Sequence, residues 1–331
     1  MARLMGPNDA NVAGNVHGGV ILQLIELAGH VVATRYCNQR RQQEKPVVAA
    51  TIRVESMRFV EPMHLGELAE ATASVVFTSE RSLQVSVDVY AENLITGTRR
   101  HTNHALVWYV AVHEPALAGT ETVSVPQLVP ETEEAKASFA RGLEMYRARK
   151  EESERVNGKR SRDDLPDGFD GGIVSEDPAA KSVSESRAEL SQIVLPSDCT
   201  TGGVSFGGFI MKLMDSAAGL VCVTHCRTNV VTISLQAMDF HQSVRVGDVV
   251  RIVASLVFVS SRSMEVEVVV HAQSLTESKP RHTTTALFNF VSLDKSMRPQ
   301  AVPPLRFETA EEKAKALEGQ RRYEARRASR A

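Results

Sequence analysis

The sequence predicts an α+β protein in which one unit is written twice, each unit a buried helix followed by an antiparallel β-sheet that wraps it. Three observations carry this: the chain aligns with itself, each copy opens on an apolar helix behind a glycine-rich entry, and each continues into segments of alternating apolar residues. His17-Gly18-Gly19 meets Phe206-Gly207-Gly208 at an offset of 189, and Cys37 meets Cys226 at the same offset. From Met57-Arg58-Phe59 against Met238-Asp239-Phe240 the offset becomes 181, so the first copy carries extra residues in between. Residues 77–110 and 258–291 then agree at 15 of 34 positions without a gap. A last block, including Glu131-Thr132/Glu308-Thr309 and Tyr146/Tyr323, repeats at 177. Agreement of this extent marks a tandem duplication. It also fits the two domains expected of 331 residues.

Within each copy the elements follow one order. The entry Asn11 to Gly19 leads into Val20–Tyr36, a stretch apolar on nearly every face, which belongs inside a core and not on a surface. Leu83, Val85, Val87, Val89 and Ala91 alternate with Gln84, Ser86, Asp88 and Tyr90, the period of a half-buried strand. Met264, Val266, Val268 and Val270 repeat that pattern. Flanking runs (residues 47–59, 68–77 and 98–112) supply further strands, and two such sheets would pair edge to edge. A charged helix closes each copy, over 132–152 and 310–330. The basic residues Arg321, Arg322, Arg326, Arg327 and Arg330 read as its solvated face. The domains are therefore placed at 1–150 and 190–331. Between them, 151–189 is rich in Ser, Asp, Glu, Lys, Gly and Pro and reads as a flexible tether.

Composition narrows the task. A net charge of -2 argues against a protein devoted to nucleic acid or a membrane surface. Four cysteines without a CxxC spacing suit neither a disulfide scaffold nor a zinc site, which places the chain in a reducing, cytosolic compartment. Lys212 and Asp215 interrupt the best apolar run, so no membrane span is expected. Neither a metal nor a cofactor is expected, since no ligand cluster has the right spacing.

The entry to the buried helix is where chemistry can sit. Gly14, Gly18 and Gly19 permit close backbone approach, and the helix start offers unpaired N–H groups to an oxygen that becomes negative during reaction. Less than two turns further, each apolar helix carries an acid, Glu26 in one copy and Asp215 in the other, at equivalent positions. A carboxylate in such surroundings costs several kcal/mol unless it has a compensating role, as a structural hydrogen bond or as a general base or nucleophile. The copies also differ: Asn11 and His17 face Thr200 and Phe206 at the matching places.

The motif DANVAGNVHGG, the helix with its acid, the SxRS turn and the HTxxAL strand resemble the acyl-CoA thioesterases of the hotdog fold, in a tandem two-domain form. The resemblance covers both repeats. It implies an intramolecular double hotdog that hydrolyses medium- to long-chain fatty acyl-CoA to fatty acid and CoA. It implies one site per chain at the domain interface, with Asn11 and Asp215 catalytic and His17, Gly18 and Gly19 positioning the thioester. Asp215 would deprotonate a water or attack directly. Glu26 with Thr200 would form an inactive pseudo-site, made less competent by Phe206. Arg81, Ser82, Arg262 and Ser263 are candidate CoA contacts, because arginine suits phosphate oxygens. The partners implied are acyl-CoA, CoA and further copies of the chain, as a trimer of two-domain chains or a hexamer. A dehydratase pairing His17 with Asp215, or a non-catalytic acyl-CoA-binding regulatory protein, are the alternatives.

Overall fold

The computed structural model describes residues 1–39, 45–113, 121–158, 180–276 and 279–328. The first copy contains β1 (Ala2–Leu4), α1 (Gly18–Asn38), β2 (Val47–Val54), β3 (Met57–Arg58), β4 (Glu67–Thr78), β5 (Ser82–Asn93), β6 (Arg99–His113), β7 (Thr122–Val123) and α2 (Glu133–Gly158). The second contains β8 (Lys181–Ser182), β9 (Arg187–Ile193), α3 (Gly207–Cys226), β10 (Asn229–Leu235), β11 (Met238–Asp239), β12 (Val249–Val259), β13 (Ser263–Gln273), β14 (Arg281–Leu293), β15 (Leu305–Arg306) and α4 (Ala310–Ala328). This is the expected α+β duplication: an apolar helix packed on the strands of an antiparallel sheet in each half.

The sheets exchange strands. One runs β1-β4-β5-β6-β2-β11 and the other β3-β10-β14-β13-β12-β9, so each ends on a two-residue strand lent by the other copy. Met57 pairs with Leu235, and Met238 pairs with Val54. Beyond these pairs the Phe59 N–H donates to the Ile233 carbonyl at 3.1 Å, and Phe240 N–H to the Ile52 carbonyl at 2.9 Å. Both contacts join positions related by the repeat. The two sheets thus meet edge to edge, and α1 lies against α3 in one continuous core.

Two glycines set how closely the helices approach. A Cβ on Gly19 would lie 2.7 Å from the Lys212 Cα, and one on Gly208 would lie 2.8 Å from the Gln23 Cα. Backbone cannot move aside as a side-chain end can. The substitution Gly208→Ala is therefore expected to destabilise the fold by about 1–3 kcal/mol, the usual cost of overpacking, as measured by urea unfolding. An unchanged midpoint would show that the crossing is looser than this geometry.

Both α1 and α3 are long and apolar enough to cross a membrane by length and composition alone. Here more than half of each is buried among the strands, which accounts for that composition. Trp108 follows Val107 and precedes Tyr109, whose hydroxyl donates to the Glu26 carbonyl on α1; strand alternation therefore sends Trp108 to the outer face. There Phe77 and Trp108 meet edge-on and both pack against Tyr146 of α2.

The tether is narrower than its composition implied. Helix α2 continues to Gly158, β8 begins at Lys181, and β9 pairs with β12 from Arg187↔Ser255 to Ile193↔Val249. Ala188 and Leu190 pack on the core, so an element with charged flanks is a sheet edge. Ser186 and His225 Nδ1, 2.8 Å apart, pin its start to α3. The remainder of the tether, 159–179, lies outside the described residues. The basic face of the last helix is also not simply solvated: Arg322 and Arg326 reach Glu265, which is fully buried in β13.

Candidate active site

Asn11 and Thr200 stand in the same kind of turn. Gly14 N–H donates to the Asn11 carbonyl at 3.0 Å and Gly203 N–H to the Thr200 carbonyl at 2.9 Å. Gly14 has φ +83° and Gly203 φ +74°, the left-handed region that favours glycine. The Asn11 side-chain oxygen accepts from Ala13 N–H at 3.0 Å and Asn15 N–H at 3.1 Å. The carbonyl end of this amide is thereby used to hold the loop, and its NH₂ end has no hydrogen-bond partner among the described residues.

His17 caps α1. Its Nδ1 lies 3.1 Å from Gly19 N and 3.1 Å from Asp215 Oδ2, while Gly19 N–H donates to Asp215 Oδ2 at 2.7 Å. The Gly19 N–H thus faces both the imidazole and the carboxyl. Thr232 Oγ1 donates to the other oxygen, Oδ1, at 2.7 Å. Asp215 is 1% exposed. Burial pushes its pKa up; the His17 charge, the Thr232 hydroxyl and Gly19 N–H oppose that rise in decreasing order.

His17, Gly18, Gly19 and Asp215 are thus brought together from the two copies. Gly19 donates to the acid, so it is Gly18 whose N–H is left over at the helix start. A Cβ on Gly18 would sit 3.0 Å from Asp215 Oδ2, which explains the glycine there. Thr232 had not been singled out in the sequence. Its repeat partner Thr51 is also threonine, an identity at the 181 offset that was available as a signal.

The second crossing is built alike but filled differently. Thr51 Oγ1 donates to Glu26 Oε1 at 2.6 Å. Among the described residues neither Glu26 Oε2 nor the buried Thr200 hydroxyl has a partner at full hydrogen-bond geometry, although the N–H groups of Gly207 and Gly208 lie close to that carboxyl. Burial raises the Glu26 pKa; the Thr51 hydroxyl, the His30 charge and the N–H groups of Gly208 and Gly207 pull it down. Phe206 replaces the capping imidazole and meets His30 edge-on, with ring centroids 5.3 Å apart. A cavity of about 170 Å³ that opens toward the exposed His241, Gln242 and Ser243 lies here beside Glu26 and Thr200.

The SxRS turns lie elsewhere. Ser82 Oγ is 2.8 Å from Ser79 Oγ, and Ser263 Oγ is 2.6 Å from Ser260 Oγ, so both hydroxyls tie their own hairpins. Arg81 is exposed beside Glu80 at 3.7 Å. Arg262 lines a cavity of about 500 Å³ between its sheet and α4, together with Arg326, Arg327 and Asn289. Trp108 occupies the place of Asn289 in the first copy.

A duplicated helix-in-sheet core, with an acid of one helix held against the start of the other, is the arrangement to set beside known proteins. The thioesterase-superfamily model matches the chain twice, over residues 13–98 and 202–279. The chain belongs to the family of the cytosolic acyl coenzyme A thioester hydrolases. It is 40% identical to the mouse enzyme of that name over 98% of its own length and 81% of that protein. It is also 40% identical to the human one, over 97% and 81%. The fold alone is shared with the solved structure of a putative oleoyl thioesterase from Lactobacillus plantarum, at 8% identity and a TM-score of 0.53, covering 89% of this chain and 96% of that one.

Proposed function

We propose that the chain hydrolyses fatty acyl-CoA, of medium to long chain length, to fatty acid and CoA at one site per chain, in the cytosol. The observation that carries the site is the Asp215 carboxyl held against the start of α1 by Gly19 N–H and against β10 by Thr232. The thioester carbonyl takes the Gly18 N–H, where the developing oxyanion gains a donor at the positive end of the helix. Asp215, fixed at both oxygens, removes a proton from a water, and the Asn11 NH₂ holds that water. Attack by Asp215 itself would bring one carboxylate oxygen onto the thioester carbon and so shift it from its present bond, whereas a base can act through a water from where it stands, which favours the general-base route. A single turnover in ¹⁸O-water tests the routes: the base route labels the fatty acid and never Asp215, whereas ¹⁸O in Asp215 would show an anhydride opened by water at the aspartyl carbonyl. No cofactor or metal is invoked.

The reading is tested by thiol release from acyl-CoAs of increasing chain length. Asn11→Ala is expected to lose at least tenfold in kcat on the preferred substrate. No release from any acyl-CoA by the wild type would overturn the proposal. Of the candidate CoA contacts, Arg262 is favoured, because its neighbours Arg326 and Arg327 surround the same hollow. Arg262→Ala is expected to raise KM several-fold with kcat unchanged, the sign of lost uniform binding; an unmoved KM would remove Arg262 from the list. Association of three two-domain chains, or a hexamer, is the assembly to be checked by light scattering.

A further inference from the structure

The two copies build the loop ahead of the buried helix in the same way, with one difference at its base. In the first copy His17 N–H donates to the Asp9 carbonyl at 2.7 Å, Ala10 bridges to Val16, and Asn11 N–H donates to the Asn15 carbonyl at 2.7 Å. Residues 9–17 thus form a closed loop that carries Asn11 and His17, and Asp9 is its base. In the second copy Phe206 N–H donates to the Asp198 carbonyl at 3.0 Å, Cys199 bridges to Ser205, and Thr200 N–H donates to the Val204 carbonyl at 2.8 Å. Each base aspartate also closes the short turn before it. Asp9 Oδ2 accepts from Gly6 N–H and Asp198 Oδ2 from Leu195 N–H, both at 2.9 Å.

The difference is a cation. Arg3, on edge strand β1 and paired there with Ala69, donates through Nη2 to Asp9 Oδ1. At the offset of 189 its counterpart is Gln192, which carries no charge. Asp9 is 5% exposed, whereas Asp198 is half-buried. The second copy shows that the loop, its bridge and its turn form without an arginine at this place. Arg3 is therefore not needed to build the loop, and it stands in the half whose loop carries Asn11 and His17. A buried carboxylate stays in place while a cation compensates it; alone, it is favoured to turn toward water. The same residue's carbonyl holds the His17 N–H, so the ion pair governs where the loop stands. We propose that Arg3 is a positioning residue for hydrolysis, which through Asp9 fixes Asn11 and His17 against the Asp215 carboxyl of the other copy. Arg3 acts only through Asp9, and a misplacement of about 1 Å at a reacting centre can cost about 100-fold in rate.

The proposal rests on the hydrolase reading, and two measurements keep the claims apart. Arg3→Gln gives the first copy the residue of the second. It is expected to lower kcat for thiol release about five- to thirtyfold with KM within about twofold, since placement of the reacting groups changes and uniform binding does not. The Arg3 side chain is 48% exposed, so the substitution leaves the core intact. One nitrogen makes the contact, so Arg3→Lys is expected to return kcat to within about twofold of the wild type, which marks the charge as the working part. Asp9→Asn is expected to lose as much as Arg3→Gln, with no further loss when the two are combined. Asp198→Asn, the same change in the other copy, is expected to leave kcat as it was. Hydrogen exchange reads the loop without turnover: Arg3→Gln is expected to speed exchange of the Asn11 and His17 amides about tenfold and to spare those of Thr200 and Phe206. Unchanged exchange over residues 9–17 overturns the proposal, as does an active Arg3→Gln variant with wild-type kcat or an equal loss in Asp198→Asn. No thiol release by the wild type, with faster loop exchange in Arg3→Gln, would instead overturn the hydrolase reading and leave the hold of Arg3 on the loop standing.

Discussion

Asp215→Asn is expected to lower kcat for thiol release by about 10²–10⁴-fold, the range attributed to a general base in position. The amide is nearly the same shape, so the close contacts at Gly18 survive; its oxygen can still accept from Gly19 N–H while its NH₂ donates to the Thr232 hydroxyl. What it cannot do is take a proton from water. Glu26→Gln is expected to cost less than tenfold, because its carboxyl lies across from Thr200 and Phe206 and not across from Asn11 and His17. Equal losses in the two variants would end the one-site reading. The pH profile gives a second, independent sign. A base works only when ionised, and burial raises the Asp215 pKa above the ordinary value near 3.8, so the acid limb of kcat/KM lies above the ordinary aspartate range. The Thr232 hydroxyl stabilises the charged form and pulls that pKa down. Removing it in Thr232→Ala is expected to move the limb to higher pH, a displacement that a merely structural threonine would not produce. The same burial sets the stability. A folded-state pKa above the unfolded one favours folding at low pH and loses that advantage as pH rises through the folded value. Asp215→Asn, which has no charge to bury, is thus expected to unfold at the wild-type temperature or higher at neutral pH, separating a chemical loss from a folding defect.

Much of this site was legible because duplication turns one sequence into two that annotate each other. An acid recurring at an offset of 189 on two apolar helices is hard to explain by packing, and the structure places both acids at helix crossings. Thr232 was legible in principle but hidden by position. It lies on the strand just past the extra residues of the first copy, where the offset changes from 189 to 181, so the Thr51/Thr232 identity fell outside both aligned blocks. The role of Gly18 required geometry, since the sequence treats Gly18 and Gly19 alike and only the bond from Gly19 to Asp215 separates them. The exchanged strands Met57–Arg58 and Met238–Asp239 are two residues long and have no periodicity to read. The edge strand Arg187–Ile193 was masked by the polar composition around it. Glu265 shows the same limit from the other direction. Its strand alternates, which in the sequence puts the charge on the water side, yet α4 covers that face.

That buried glutamate leads to the second large effect, this time on stability. Glu265 is fully buried. It accepts from Arg322 Nε at 2.9 Å and Nη2 at 2.6 Å on one oxygen, and from Arg326 Nη1 at 3.1 Å and Gln236 Nε2 at 3.1 Å on the other. In the first copy the corresponding pair is Gln84 and Met145, with Gln84 Nε2 3.6 Å from the Met145 sulfur. The duplicated fold therefore has two solutions to one contact between closing helix and sheet, ionic in one half and neutral in the other. Arg322→Met alone removes two charge-assisted bonds and strands one oxygen of a buried carboxylate; at about 1.5–3 kcal/mol each, offset in part by Arg326, the expected loss is about 3 kcal/mol. Converting both residues, Glu265→Gln with Arg322→Met, copies the neutral solution and leaves no charge to strand. The double variant is expected to recover more than half of the loss, and the coupling between the two sites in a double-mutant cycle on urea unfolding measures it. If the double variant is as unstable as the single one, the penalty lies in lost packing along the arginine stem and not in the buried charge.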